Sequence, residues 1–165
     1  MTTVLNRDSI KVKRDLQKRV ENWVADYCDA LEENFKQYSI RSYKSNINNP
    51  SEVSKGYTSY YEEQLQKIED GTANLYKFDY KVGKKFIKVF NLQYSEACDY
   101  YNRPAGYRAG SVTPFIDKNT GQVYKPASWK APAKHVRFDL RIIAERNYLL
   151  NPENCDWAGG HLYMR

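Results

Sequence analysis

Residues 7–38 contain neither glycine nor proline, and their apolar residues repeat at helical spacing. Leu16, Val20, Trp23, Tyr27, Leu31 and Phe35 recur three and four apart, with Val24 beside them. That is the 3.6-residue period of an amphipathic helix. Lys18, Asp26, Asp29 and Glu33 fall on the opposite face. Asp8 or Ser9 is placed to cap the helix by accepting from its first free amides. A helix of about 30 residues runs roughly 45 Å, longer than a small sheet can cover. The excess either packs against another copy of the chain, giving a homo-oligomer, or is covered by a second helix.

Residues 39–57 are polar and rich in Asn and Ser around Asn48-Asn49-Pro50-Ser51, which reads as a loop. Ser59 and Glu62 have the spacing of a capping box. A short helix follows with Tyr61, Leu65 and Ile68 inward, and Gly71 suits its C-cap. The period then changes to two. Tyr76, Phe78, Tyr80 and Val82 alternate with Lys77, Asp79 and Lys81, as in a half-buried strand. Gly83-Lys84 suits a tight turn, and residues 85–94 form the return strand. Residues 95–110 read as an irregular loop. Further strands are expected at 111–117 and 121–125, joined by a Lys118-Asn119-Thr120-Gly121 turn. Arg137 to Ile143 suits a last strand or a helix start equally. The expected fold is α+β. A helical part, residues 1–71, joins a twisted antiparallel sheet of about four strands in residues 72–165.

Charge is divided unevenly. Residues 1–71 hold 11 Lys+Arg and 12 Asp+Glu, whereas residues 72–165 hold 15 and 8. The basic half points to an anionic partner, either a nucleic acid or a phosphorylated nucleotide. Trp129 lies among Lys125, Lys130 and Lys134, just before Arg137. An aromatic face ringed by cations can stack a base and contact phosphates. Because Trp is usually largely buried, the favoured assignment makes Trp129 a plug at one end of the sheet. Tyr101, Arg103, Tyr107 and Arg108 offer stacking and bidentate phosphate contacts, or a protein-protein hot spot. Lys84, Lys85 and Lys88 cluster on the first hairpin, with Lys77 and Lys81.

No enzyme signature is present, and we expect a non-enzymatic protein without cofactor or metal. Cys155 with His135 or His161 could in principle pair a thiolate with an imidazole. No family signature surrounds them, and two histidines without nearby ligand spacing make a poor zinc site. Three cysteines, Cys28, Cys98 and Cys155, with no CxxC point to a reducing compartment. No apolar run has the roughly 18–20 residues needed to span a bilayer. The first residues lack an apolar signal segment.

Residues 112–141 carry FIDKNTG at 115–121, VYKPASW at 123–129, APAK at 131–134 and VRF at 136–138. Together with the ending DWAGG at 156–160, followed by Leu162-Tyr163, this resembles a group of small uncharacterised bacteriophage proteins. The resemblance covers roughly residues 75–165. It implies a phage origin, and hence the host cytoplasm, but no catalytic residue. Two expectations follow. One is an accessory protein binding nucleic acid or a phosphorylated nucleotide. The other is a protein-protein module: an inhibitor of a host enzyme or defence system, including a nucleotide-sequestering counter-defence protein, or a minor virion component. Gly159-Gly160 reads as a turn in a structural tail that adds Leu162 and Tyr163 to the core.

Overall fold

The computed structural model describes residues 2–164, with side chains from Arg7 onward. Helix α1 spans Thr2–Asn48, 47 residues and about 70 Å. It is longer at both ends than the apolar period suggested. Asp8 and Ser9 therefore lie within the helix and do not cap it. The stretch 39–48, read above as loop, stays helical. The Ser39 hydroxyl donates to Phe35 O at 2.9 Å, and Asn46 Nδ2 donates to Ser42 O at 2.9 Å. Polar side chains that bond back to the helix in this way remain compatible with it. Pro50 disfavours helical backbone at Asn49, and α1 stops there.

Helix α2, Thr58–Asp70, packs back against the end of α1, with Tyr43 and Tyr61 ring centroids 5.9 Å apart. Its N-cap is Tyr57 with no side-chain capping bond, so the Ser59–Glu62 box does not form. Gly71 ends it in the left-handed conformation at φ 74°, as its lack of a Cβ permits.

Five antiparallel strands follow in sequential order: β1 Lys77–Val82, β2 Phe86–Ser95, β3 Gly106–Asp117, β4 Gln122–Tyr124 and β5 Phe138–Asp139. The sheet thus has one strand more than expected. The region Arg137–Ile143 holds both candidates, β5 and then the start of helix α3, Ile143–Leu149. β3 begins inside the stretch read as loop, because Gly106 pairs with Ser95. An irregularity between Phe90 and Leu92 is resolved by the buried side chain of Asn91. Its Oδ1 accepts from Ser111 N at 2.9 Å, replacing a ladder bond. Gly110 is small there because a Cβ would overlap Asn91 Oδ1 and Gln93 Nε2.

One face of the sheet packs on α1. Val20, Val24, Tyr27 and Leu31 meet Phe78, Ile87, Val89, Ile116 and Val123 in one buried cluster. Helix and sheet therefore share a single core. Each such apolar side chain contributes about 1.5–3 kcal/mol by leaving water. The chain's last residues close this core. Gly159, at φ 83°, turns the tail so that His161 and Leu162 are buried, while Tyr163 stays exposed. No described helix is long and apolar enough to cross a membrane.

Candidate functional site

Alternation along β2 decides what its second face displays. Ile87 and Val89 point into the core, so Phe86, Lys88 and Phe90 point away from α1. Lys81 on β1 and Phe115 on β3 both pair with Lys88 and share this outer face. Phe86 stacks edge-on against Phe115, at 6.2 Å, and Tyr124, at 5.7 Å. Phe86 and Phe115 floor an open groove of about 320 Å³. Its walls are Lys81, Lys84, Lys85, Lys88 and Lys130, and no carboxylate lines it.

Local structure holds the lysines in place. Gly83 N donates to Phe86 O at 2.9 Å, closing the β1–β2 turn with Lys84 and Lys85 at its tip. Lys118 braces that turn from the β3–β4 connection. Its backbone N–H donates to Lys85 O at 3.0 Å, and its Nζ to Gly83 O at 2.9 Å. The β3–β4 turn is itself set by Asp117, which accepts from Asn119 N at 2.9 Å, and by Gly121 at φ 76°. Asn119 does not adopt the left-handed region.

The segment after β4 folds back over the outer face. Pro126 bridges to Pro132, and Ala133 N donates to Lys125 O at 2.8 Å. This places Trp129 beside the groove. Its ring centroid lies 6.0 Å from that of Phe90, and Lys88 Nζ sits 4.3 Å from it. Lys88 Nζ also donates to Trp129 O at 3.2 Å. Trp129 is 40 % exposed. It is therefore a surface platform and not the buried plug expected above. The two prolines keep this segment out of the ladder, so its indole lies over the sheet rather than inside it.

The residues singled out from sequence divide into three places. Lys84, Lys85, Lys88, Lys130 and Trp129 come together at the groove. Lys125 instead covers the Tyr163 ring at 4.5 Å, while Lys134 and Arg137 lie outside the groove lining. Tyr101, Arg103, Tyr107 and Arg108 belong to the opposite end of the β2–β3 hairpin. Ten residues of β2 separate the two ends by about 30 Å. Arg108 ties its guanidinium to its own loop, to Ser95 Oγ at 2.5 Å and Pro104 O at 2.6 Å. The Tyr107 hydroxyl donates to Leu75 O at 2.9 Å, and its ring, with Lys77 Nζ 4.4 Å from its centroid, lines a depression with Asp29, Glu32, Glu33 and Lys36. Three carboxylates against two lysines leave it without the cationic excess of the lysine groove. Sequence reasoning missed Phe86 and Phe115 as the groove floor. Their signal was the period-two phase set by Ile87 and Val89.

The cysteine and histidine candidates are differently employed. Burial pushes the Cys155 thiol up to about 12, so it stays protonated at neutral pH. His161 is buried, accepts from Asp156 N at Nδ1 (3.0 Å), and meets the Tyr27 hydroxyl through Nε2. His135 is exposed, at φ 75°. Among the described residues, no group of three or more His, Cys, Asp and Glu side chains is placed to hold a metal.

A family model described as a family of unknown function, DUF7717, matches residues 7–164. The chain belongs to this family. The DUF7717 match takes in α1 together with the sheet and tail, the same elements that share the core. No curated protein and no solved structure matches the chain.

Proposed function

We propose that this is a non-enzymatic accessory protein that binds a phosphorylated anion, a nucleic acid or a nucleotide, in the outer-face groove. The observation that carries this reading is the convergence of five lysines on an aromatic floor with no carboxylate in the lining. Like-charged side chains gathered without counter-ions favour a polyanionic ligand. Trp129 and Phe90 beside them offer a face on which a base can stack. The resemblance of residues 112–141 and of the DWAGG ending to bacteriophage proteins supports action in an infected host's cytoplasm.

Fluorescence anisotropy with a labelled 20-nucleotide single strand and with a labelled nucleoside triphosphate tests the reading. Binding of the strand weakens as salt rises, with a slope of roughly 0.7 per neutralised phosphate. Lys85→Ala/Lys130→Ala removes two exposed groove cations without touching the core, and lowers affinity about tenfold at low salt. Binding that ignores salt, or no binding of either probe by the parent protein, rejects the reading.

A second reading has its own observation. Tyr100 and Tyr101 are 87 % and 72 % exposed at the far end of the β2–β3 hairpin. Tyrosines held out on a tight turn suit a protein partner, such as a host enzyme, a defence component or a virion part. Capture from nuclease-treated host lysate recovers a stoichiometric partner that Tyr100→Ala/Tyr101→Ala loses. Equal recovery by parent and variant removes this alternative.

A further inference from the structure

We infer that the ligand of the groove is a single nucleic-acid strand, and that it continues from the groove around the β1–β2 turn onto the projecting N-terminal stretch of α1. This rests on the groove reading above and specifies its substrate as a polymer rather than a mononucleotide.

The first half of the chain is acidic only on average. Residues 7–19 hold six basic and two acidic residues, while residues 20–71 hold five and ten. Residues 7–15 are all exposed, and burial in the core begins with Val20. This stretch of α1 therefore runs past the sheet as a solvent-facing arm. Arg7, Lys11, Arg14 and Lys18 follow one another at steps of four, three and four, so they share one face. Asp8 and Asp15 lie roughly 90° around the helix from that stripe. The stripe spans about 16 Å. Among the described residues, none of its four members takes part in a salt bridge.

The direction of the stripe is set by contact. Arg14 and Lys18 line a depression of about 230 Å³ with Gln17, Glu21, Val82, Ile87 and Lys118. Gln17 Nε2 donates to Asn119 Oδ1 at 2.6 Å, docking this part of α1 on the β3–β4 turn. Glu21, the depression's one carboxylate, accepts from the Tyr80 hydroxyl at 3.2 Å. Val82 and Lys81 are successive residues of β1, the edge strand, and their side chains point to opposite faces. The depression and the lysine groove thus lie on the two sides of one hairpin end, with Lys84 and Lys85 at the tip between them. The result is a cationic path around the edge of the sheet.

A path that rounds a sheet edge excludes a stiff ligand. Duplex DNA has a persistence length of about 150 base pairs and cannot follow it without a large bending cost. A mononucleotide is too short to reach both sides. A single strand is flexible, carries one phosphate per residue, and can place bases on Trp129 while its backbone follows the lysines.

The test compares three probes at several salt concentrations: a 20-nucleotide single strand, a duplex of equal length and a nucleoside triphosphate. The quadruple variant Arg7→Ala/Lys11→Ala/Arg14→Ala/Lys18→Ala should bind the single strand roughly thirtyfold more weakly at low salt, and its salt slope should fall by about 3. Its affinity for the nucleoside triphosphate should be unchanged. Each pair alone, Arg7→Ala/Lys11→Ala or Arg14→Ala/Lys18→Ala, should give about half the slope change, which keeps the test open if the quadruple variant misfolds. An unchanged slope in these variants, with Lys85→Ala/Lys130→Ala still weakening the strand, overturns the path and leaves the groove standing. Duplex binding as tight as single-strand binding overturns the single-strand assignment. No binding of any probe by the parent protein overturns the groove reading and the path together.

Discussion

Lowering the pH from 6.5 to 4 removes about 3 kcal/mol of stability through His161 alone. Burial pushes this imidazole down from 6.5 to about 4, and the nearby Asp156 carboxylate offsets only part of that effect. Geometry agrees, because Nδ1 accepts the Asp156 N–H and Nε2 faces the Tyr27 hydroxyl, an arrangement made for the neutral ring. Above pH 6.5 the ring is neutral both folded and unfolded, so the contribution is fully present. Below it the unfolded chain takes up a proton that the folded chain refuses, and stability falls until the folded ring protonates near 4. Carboxylates also titrate near the lower limit, so the measurement is a difference. Urea unfolding at pH 7 and pH 4.5 gives the loss for the parent and for His161→Gln. The variant is less stable at pH 7 but loses about 2–3 kcal/mol less on acidification. Equal losses in the two proteins would refute the assignment.

The second large effect lies at the docking of the tail on α1. The Trp157 ring meets Phe35 at 5.0 Å, Tyr38 at 5.2 Å and Tyr76 at 5.7 Å. Phe35 and Tyr76 themselves stack in parallel, 4.3 Å apart. The backbone is held as well. Trp157 N donates to Asn34 Oδ1 at 2.9 Å, and Asn34 Nδ2 donates to Pro152 O at 2.8 Å. Asp156 supports the next turn by accepting from Ala158 N at 2.9 Å and Gly160 N at 3.2 Å. Trp157→Ala empties the centre of this aromatic cluster. It should cost about 3 kcal/mol, the low end for truncating an aromatic, because the indole is only half-buried. Trp157→Phe keeps a ring among the three neighbours and should cost about 1 kcal/mol. Urea midpoints at pH 7 measure both. An alanine variant no less stable than the phenylalanine variant would show that the cluster does not hold the tail.

These contacts also give the DWAGG ending a physical meaning. Its Asp accepts from two backbone amides, its Trp fills a cluster on α1, and its glycine takes a left-handed turn. The ending is thus a fastening. The function proposed here belongs to the other end of the sheet.

Several elements are legible in the sequence. The phase of α1 was correct from Val20 to Leu31, because burying one face of a helix imposes its period on the residues themselves. The β1–β2 hairpin, the Gly71 cap and the Gly121 turn were legible for a similar reason, since each depends on backbone preferences within a few residues. The extension of α1 through residues 39–48 was not. Its Ser and Asn residues resemble loop composition, and only their bonds back to the helix separate the two states. The start of β3 at Gly106 was hidden as well, because it depends on pairing with Ser95 and on the Asn91 side chain that carries the chain past the irregularity.

For the site, the uneven charge suggested an anionic partner, and four of the five groove lysines were among the candidate residues read from the sequence. It could not separate them from Arg103 and Arg108, because strand length and direction place those at the far end of the hairpin. Averaging over residues 1–71 also concealed the basic stripe of α1, whose acidic counterweight lies further along the same helix. Helix phase, hairpins and charge sign are short-range properties and can be read along the chain. Which cations share a surface, whether Trp129 faces water, and what surrounds His161 depend on residues up to 134 positions apart. Those distances are closed only when the sheet folds onto α1.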